Sequence, residues 1–418
     1  MQPCLVADLQ LGSPLNLFPL ICSIHELIVR ERRPKSRWNV ELLTSSQQQL
    51  LRVISESGPL SRTVLAASMG LSKAAMSGIA RDLISLGVLH ETETVYGQGR
   101  PSILLDLHPE GAFFVGISLL EDPAPMVLSD FNGNIVARQT MPLSRDPEII
   151  ADLIAEALPK LLAERKDATR KLSGIGIALS GFVDEKQASC VQSTLLGWKD
   201  VPLANIIRQK TGIDTFIEND AKAVAVSEKL FGSARDVQNF SVVSFDDGIG
   251  CAHFVGGKLY RGNHGGAGEI AHCTIEPNGS PCRCGKRGCL DTVASMKAIK
   301  EMSKVEGVAC GSLDDLEAEA SLGNVAAIRI LHRAGNALGL AIAHLIQFND
   351  PGMILITHVE GRFDGLFGTV MRQAAEANVL PRYAGQTPIR TQRVDGDVWA
   401  RGAASIAAHN FLIGPTPN

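Results

Sequence analysis

The sequence predicts a two-part α/β protein: a small module of three helices and a β-hairpin, then a larger domain of two α/β lobes around a cleft. Three observations carry this expectation. Apolar residues at helical spacing, punctuated by Gly-Pro and single glycines, mark three short helices between residues 45 and 87. Beyond residue 113 a strand-rich opening followed by alternating α and β segments occurs twice. In the second of these, His272, Cys282, Cys284 and Cys289 crowd into one short stretch.

A chain of 418 residues is too long for one ordinary domain and has room for two or three. Hydrophobic content of 45% with 20% charged residues excludes a disordered chain. The net charge of −4 provides no whole-molecule attraction to nucleic acid or membrane, so DNA binding would have to rest on a local segment. Six of the nine cysteines (Cys4, Cys22, Cys190, Cys251, Cys273 and Cys310) are scattered, unlike a secreted disulfide framework. The first residues lack a charged segment leading into an apolar core and a small-residue cleavage site. No uninterrupted apolar run reaches spanning length. The expectation is a cytoplasmic protein with no membrane partner.

Residues 1–43 form an N-terminal extension with little pattern. Residues 17–29 are apolar enough for a short helix and run into Arg30-Glu31-Arg32-Arg33-Pro34-Lys35-Ser36-Arg37. Such a run is a solvated linker, or lies along phosphates if a DNA-binding module follows. Residues 44–108 read as that module. Leu50, Leu51, Val53 and Ile54 give the first helix a buried face, and Gly58-Pro59 ends it. Ser61 caps a second helix closed by Gly70, and Ser72 caps a third closed by Gly87. The short turn between the last two is a helix-turn-helix layout. Ser72, Lys73, Ala74, Met76, Ser77 and Arg81 on the third helix are the residues expected to enter a major groove. Two β-like runs, 88–91 and 102–106, make a wing whose tip carries Arg100, suited to a narrow minor groove. A helical protein-interaction module is the alternative.

From residue 109 the texture changes. Strands at 113–117, before Asn132-Gly133 and near Ile135 form a meander, with Asn-Gly as its turn. An amphipathic helix at 147–164 and a buried strand at 172–179, ending at Ser180-Gly181, follow. A strand at 215–218 leads into Asn219-Asp220 and a helix from 221 to 230. Strands at 241–245 and 251–255, a long helix at 324–347 and a strand at 353–357 complete the second lobe, about 236–395. The first lobe is read as about 109–235 plus the C-terminal helix.

His272 with Cys282, Cys284 and Cys289 forms a closed set of one imidazole and three thiolates, the donor set of a structural, tetrahedral zinc site. Reduced cysteines without an ion are the alternative; Cys282 and Cys284 are too close in sequence to bridge easily. Gly268-Glu269-Ile270-Ala271-His272 followed by Cys282-Arg283-Cys284-Gly285-Lys286-Arg287-Gly288-Cys289-Leu290-Asp291 resembles the zinc loop of the ROK family, which groups sugar kinases with sugar-responsive repressors. The three helices, the wing and the Gly97-Gln98-Gly99-Arg100-Pro101 turn resemble the winged helix of ROK repressors. The resemblance implies an actin and sugar-kinase-like (ROK) fold for residues 109–418. It implies that Glu269, His272 and Asp291 hold sugar hydroxyls, although the family usually has Glu at the last place. It further implies that Asn219 contacts a hydroxyl, that Asp220 matches the kinase base, and that Gly181 lines the same site. Asp220 as a plain helix cap is the simpler alternative. Thr194 stands where the family often has a sugar-contacting Asn.

ROK kinases resemble one another at an Asp-x-Gly-Gly-Thr turn, where this chain has Ser118-Leu119-Leu120-Glu121-Asp122. Asp246-Asp247-Gly248-Ile249-Gly250 replaces the second turn, Gly-Thr-Gly-Ile-Gly, and Thr357-His358 replaces glycines near adenosine. Glycines let backbone N–H groups approach phosphate, whereas carboxylates repel it. The resulting expectation is a DNA-binding regulator, a repressor of carbohydrate genes, with ATP binding lost. Its partners would be a double-stranded operator and a sugar or sugar-phosphate effector, and it would act as a homodimer or homotetramer with structural Zn²⁺. An ATP-dependent sugar kinase with a fused DNA-binding domain is the alternative.

Overall fold

The computed structural model describes residues 43–95, 101–359 and 361–413. The apolar and basic stretches read within residues 1–43, and Arg100 at the wing tip, lie outside the described residues.

The N-terminal module is built by caps. Thr44 and Gln47 form a reciprocal capping box that starts α1 (Ser45–Ser57), Ser61 caps α2 (Arg62–Ser68), and Ser72 caps α3 (Lys73–Ser85). Strands β1 (Leu60–Ser61), β2 (Leu89–Val95) and β3 (Ser102–Leu107) form an antiparallel sheet in the order β1-β3-β2. Strand β1 is too short to read from sequence, because two residues carry no alternation. The helices bury Leu50, Leu51, Ile54, Leu65, Met76, Ala80 and Leu83 against Leu89 and Leu105. Met76 therefore does not face a groove, as its place among the small and polar residues of α3 had suggested; it is 0% exposed. It starts a stripe with Ala80 and Leu83, at i, i+4 and i+7, that faces the core. Ser72, Lys73, Ala74 and Arg81 are exposed, and Ser77 is half-buried.

The larger domain holds two five-stranded sheets of identical order. In the first, β4 (Phe113–Ser118), β5 (Ala124–Ser129) and β6 (Ile135–Met141) make an antiparallel meander, and β7 (Leu172–Leu179) and β11 (Thr215–Asn219) return parallel to β4. Three short strands, β8 (Phe182–Val183), β9 (Cys190–Ser193) and β10 (Trp198–Val201), form a separate flap between them in sequence. In the second sheet, β12 (Phe240–Phe245), β13 (Ile249–Val255) and β14 (Lys258–Tyr260) make the meander, and β15 (Ile354–His358) and β16 (Ile389–Arg393) run parallel to β12. The Asn132-Gly133 turn closes as expected, with Asp130 Oδ1 accepting from the N–H groups of Asn132 and Asn134. Parallel registry aligns Ser118 with Ala178 and Leu179 with Asn219, so the C-terminal ends of β4, β7 and β11 meet at one sheet edge. Carboxyl ends of parallel strands are where ligands bind in such folds.

Helices cover the faces. Helix α4 (Pro147–Ala163) lies on the first lobe, and α5 (Asp220–Leu230) leaves the end of β11. The second lobe carries α6 (Met296–Val305), α7 (Val325–Asn349) and α8 (Leu366–Asn378). Helix α7, though interrupted by Arg329 and Arg333, is long and apolar enough to cross a membrane by length and composition. Here 56% of that stretch is buried, with Leu331, Leu338 and Ile342 in the core of the second lobe beside Phe367 and Met371 of α8.

The last helix, α9 (Val398–Ile413), returns to the first lobe and packs on β4, β7 and α5. Its approach is so close that a Cβ at Gly116 would lie 1.9 Å from the Ala400 carbonyl oxygen, and one at Gly176 would lie 1.7 Å from that of Ala403. Gly176→Ala must push α9 off the sheet. We expect a loss of about 1–3 kcal/mol, read as a lower denaturant midpoint at unchanged m-value, and Ser173→Ala nearby should change little.

Candidate functional site

The site grows from the junction of β11 and α5. Asn219 caps α5 by accepting the Lys222 N–H at its Oδ1 (3.3 Å), and its Nδ2 donates to the Gly181 carbonyl (3.3 Å). One amide thus joins the ends of β7 and β11. Asn219, rather than Asp220, is the helix cap, which leaves the Asp220 carboxyl without that structural duty. Gly181 has no space for a side chain, because a Cβ would sit 2.4 Å from the Gln192 carbonyl oxygen.

Asp220 lies deep in the site with a partial opening to solvent. Burial raises its carboxyl to about 6; the neighbouring Glu269 charge adds to the rise, while the Ala221 N–H and Arg283 oppose it. The fold brings Glu269, 49 positions later in the chain, near enough for its charge to act on Asp220. The backbone at Gly268 makes this possible: it is left-handed, at φ +99°, and a Cβ would lie 2.1 Å from the Cys251 carbonyl oxygen.

Beneath these residues lies a charged layer that sequence reasoning missed. Glu218 is 1% exposed and accepts from Arg261 Nε (2.9 Å), Gln187 Nε2 (3.1 Å) and the Asn219 N–H (2.9 Å). Lys222, 2% exposed, donates its Nζ to the Gly265 carbonyl. Burial lowers the Lys222 ammonium, and the Glu218 and Glu269 charges counter it. The available signal was the pair of charges flanking Asn219-Asp220 in an otherwise apolar strand and helix, Thr215-Phe216-Ile217-Glu218 and Ala221-Lys222-Ala223-Val224.

The metal-ligating candidates converge. One donor atom from each of His272, Cys282, Cys284 and Cys289 lies within 4.8 Å of the others. His272 Nδ1 is 3.5 Å from Cys282 Sγ, and Cys284 Sγ is 3.6 Å from Cys289 Sγ. These match the edges, about 3.7 Å, of a tetrahedron with zinc-to-sulfur bonds of about 2.3 Å, and are far longer than a disulfide of about 2.05 Å. Backbone bonds shape the loop: the Cys282 N–H donates to the Lys286 carbonyl and the Gly285 N–H to that of Cys282. The residues fit a structural zinc ion.

Asp291 stands where the 246–250 turn meets the cysteine loop. Its Oδ1 accepts the Ile249 N–H (3.1 Å) and its Oδ2 lies 3.7 Å from Arg283 Nε, so the carboxylate ties the 246–250 turn to the metal loop. In that turn Asp247 is 73% exposed, lies 3.6 Å from Lys300 and borders an open cavity. At the first turn Leu119 is fully buried and its N–H is spent on the Ala178 carbonyl. Where the family has glycines near adenosine, His358 packs on Phe363 (4.6 Å between ring centres). A cavity of only about 10 Å³ remains among Ser244, Thr357, Val394 and Trp399, too small for a base. A larger cavity of about 550 Å³ opens beside the second turn, lined by Asp247, Arg283, Asp291, Lys297, Arg329 and Arg333.

The sequence model of the ROK family matches residues 115–410. The chain belongs to the ROK family. It is 28% identical over 375 residues to the xylose repressor of Bacillus spizizenii, a match covering 88% of this chain and 96% of the relative. It is 24% identical over 368 residues to the DNA-binding transcriptional repressor Mlc of Escherichia coli, covering 85% and 91%. Among solved structures, a ROK family transcriptional regulator described as a homologue of the E. coli MLC protein superposes with a TM-score of 0.73 at 26% identity, covering 88% of this chain and 96% of that one. A ROK family glucokinase from Streptomyces griseus, in complex with glucose and AMPPNP, shares the fold at 23% identity with a TM-score of 0.58, covering 71% and 100%.

The raised Asp220 carboxyl makes a sign-definite prediction. Its contribution to stability is fully present below its ordinary value of 3.8 and is lost as pH rises through about 6. Asp220→Asn removes that loss. The variant should melt above the parent at about pH 7.5, and the gap should narrow on acidification toward about pH 4.5.

Proposed function

We propose that this ROK protein is a DNA-binding transcriptional repressor of carbohydrate genes whose cleft takes a sugar or sugar phosphate as effector and no longer takes ATP. The observation that carries this reading is an asymmetry within one cleft. Asn219, Asp220 and Glu269 remain gathered, with His272 bound into the adjoining loop. Leu119 and His358 stand where kinases of the family resemble one another in glycines, and a cavity of only about 10 Å³ remains beside His358. Phosphoryl transfer needs backbone donors around the triphosphate, and Leu119 has none to offer. The regulators named above support the same reading, because their matches extend over regions beyond the ROK sequence model.

Each part has a role. Lys73, Ala74, Ser77 and Arg81 on α3 present the stripe opposite its buried face to a major groove. Asn219, Asp220 and Glu269 accept or donate hydrogen bonds to vicinal hydroxyls. With His272 Nδ1 committed to the cysteine cluster, its Nε2 is the ring nitrogen left for a ligand. His272, Cys282, Cys284 and Cys289 would hold zinc as a structural ion that fixes the loop next to Glu269. A two-fold or four-fold assembly in the cytoplasm, reading a palindromic operator with half-sites one or more helical turns apart, fits a winged helix of this size.

The kinase reading is separated by turnover. Purified protein with D-glucose, D-xylose and ATP should form no ADP above background, and a rate abolished by Asp220→Asn would overturn the proposal. Duplexes tiled across the upstream region of its own gene should be bound by the parent. Arg81→Ala should weaken that binding by about 3–30-fold and flatten its salt dependence. Cys284→Ser should lower the zinc content, measured by elemental analysis, and abolish any sugar-induced rise in Tm.

A further inference from the structure

Helix α5 runs between the two functional ends of the molecule. Its first residues, with the Asn219 cap, form the floor of the cleft. All ten residues from Ala221 to Leu230 are buried, so this 11-residue helix, about 16 Å long, is clamped along its length. A buried helix transmits a shift of one end to the other, because its packed neighbours leave no room for bending.

At its far end the helix grips the loop that follows. Lys229 Nζ donates to the carbonyls of Arg235 (2.8 Å) and Val237 (3.2 Å). Glu228 Oε2 accepts the N–H and hydroxyl of Ser233, and its Oε1 accepts from Gln392. From that loop, Arg235 reaches into the DNA-reading module. Its Nε donates to the Ser55 carbonyl (2.9 Å) and its Nη2 to that of Ile54 (3.2 Å). Those carbonyls are the C-terminal end of α1, whose own last turn carries no basic residue. Arg235 supplies from the sugar-kinase-like domain the cation that a helix C-terminus favours. Leu50, Leu51 and Ile54 of α1 share a core with Met76, Ala80 and Leu83 of α3, so tilting α1 re-aims the groove-facing helix.

We infer that Arg235 is the positioning residue that couples the cleft to the DNA-reading module, with α5 and its Lys229 and Glu228 clamps as the connecting element. The inference rests on the effector reading of the cleft given above. Two parallel donors on adjacent carbonyls are a fork that lysine cannot reproduce, so charge alone will not restore the coupling.

The test uses the full chain and a duplex from its own upstream region, with fluorescence anisotropy as the readout. D-xylose, D-glucose and D-glucose 6-phosphate are the probes. For each protein the measured quantity is the ratio of DNA Kd with and without sugar. In the parent, at least one probe should raise that Kd by about 5-fold or more. Arg235→Ala should bring the ratio below about 2-fold while the sugar still raises Tm, and Arg235→Lys should recover less than half of the effect on a logarithmic scale. A merely structural contact would lower Tm and leave the ratio at the parent value; that result in either variant overturns the inference. If Arg235→Ala fails to fold, Arg235→Lys decides by the same ratio. A parent that binds DNA but responds to none of the three probes overturns the effector reading and this inference with it. A parent that responds while both variants respond equally overturns the inference alone.

Discussion

The cleft depends on a buried charge that is fully partnered. Glu218 is almost wholly removed from water at the end of a central strand, where an unpaired carboxylate would cost several kcal/mol. Arg261 meets it with two nitrogens, each at 2.9 Å, while Gln187 and the Asn219 N–H satisfy its remaining acceptor capacity. Arg261 begins the segment that leads through Gly265 and Gly268 to Glu269 and the metal loop, and Lys222 binds the same segment at Gly265. These contacts hold two parts of the chain in register: the strand-to-helix corner carrying Asn219 and Asp220, and the loop carrying Glu269 and His272. Asn410 of the last helix joins the layer through Gln187, so the C-terminal helix is fastened to the same floor.

That floor makes the corner carrying Asn219 and Asp220 hard to alter. The layer beneath it is continuous with the core, so removing one member would leave buried charges unpaired. Elsewhere the side chains at the positions that match the kinase turns have partners of their own: Leu119 enters the first-lobe core, His358 packs on Phe363, and Asp247 lies near Lys300.

The sequence revealed most clearly what local rules govern. Ser61, Ser72 and Gly58 punctuate the first helices, Asn132-Gly133 turns the meander, and strand 172–179 stands in the structure at the limits its apolar run implied. The four residues that could hold a metal were visible because three of them occur in one short loop. Met76 misled because a single helix turn carries both a buried and an exposed face, and composition does not say which residue lies on which. The backbone N–H that Asp291 accepts was not legible, because only its position relative to Ile249 makes that bond.

By itself the sequence determined the main helices and strands of each part, the strand-rich opening that occurs twice, the candidate metal-ligating set and the identity of the polar pair at the start of α5. These follow from periodicity, capping and spacing, which act over a few residues at a time. Only the tertiary structure decided that burial, with Glu269 nearby, raises the Asp220 carboxyl, that Glu218 and Lys222 are buried supports rather than surface charges, and that Arg235 ends on the carbonyls of a helix 180 positions earlier in the chain. Contacts of that range depend on how whole elements pack, and neither partner carries a local mark of the other.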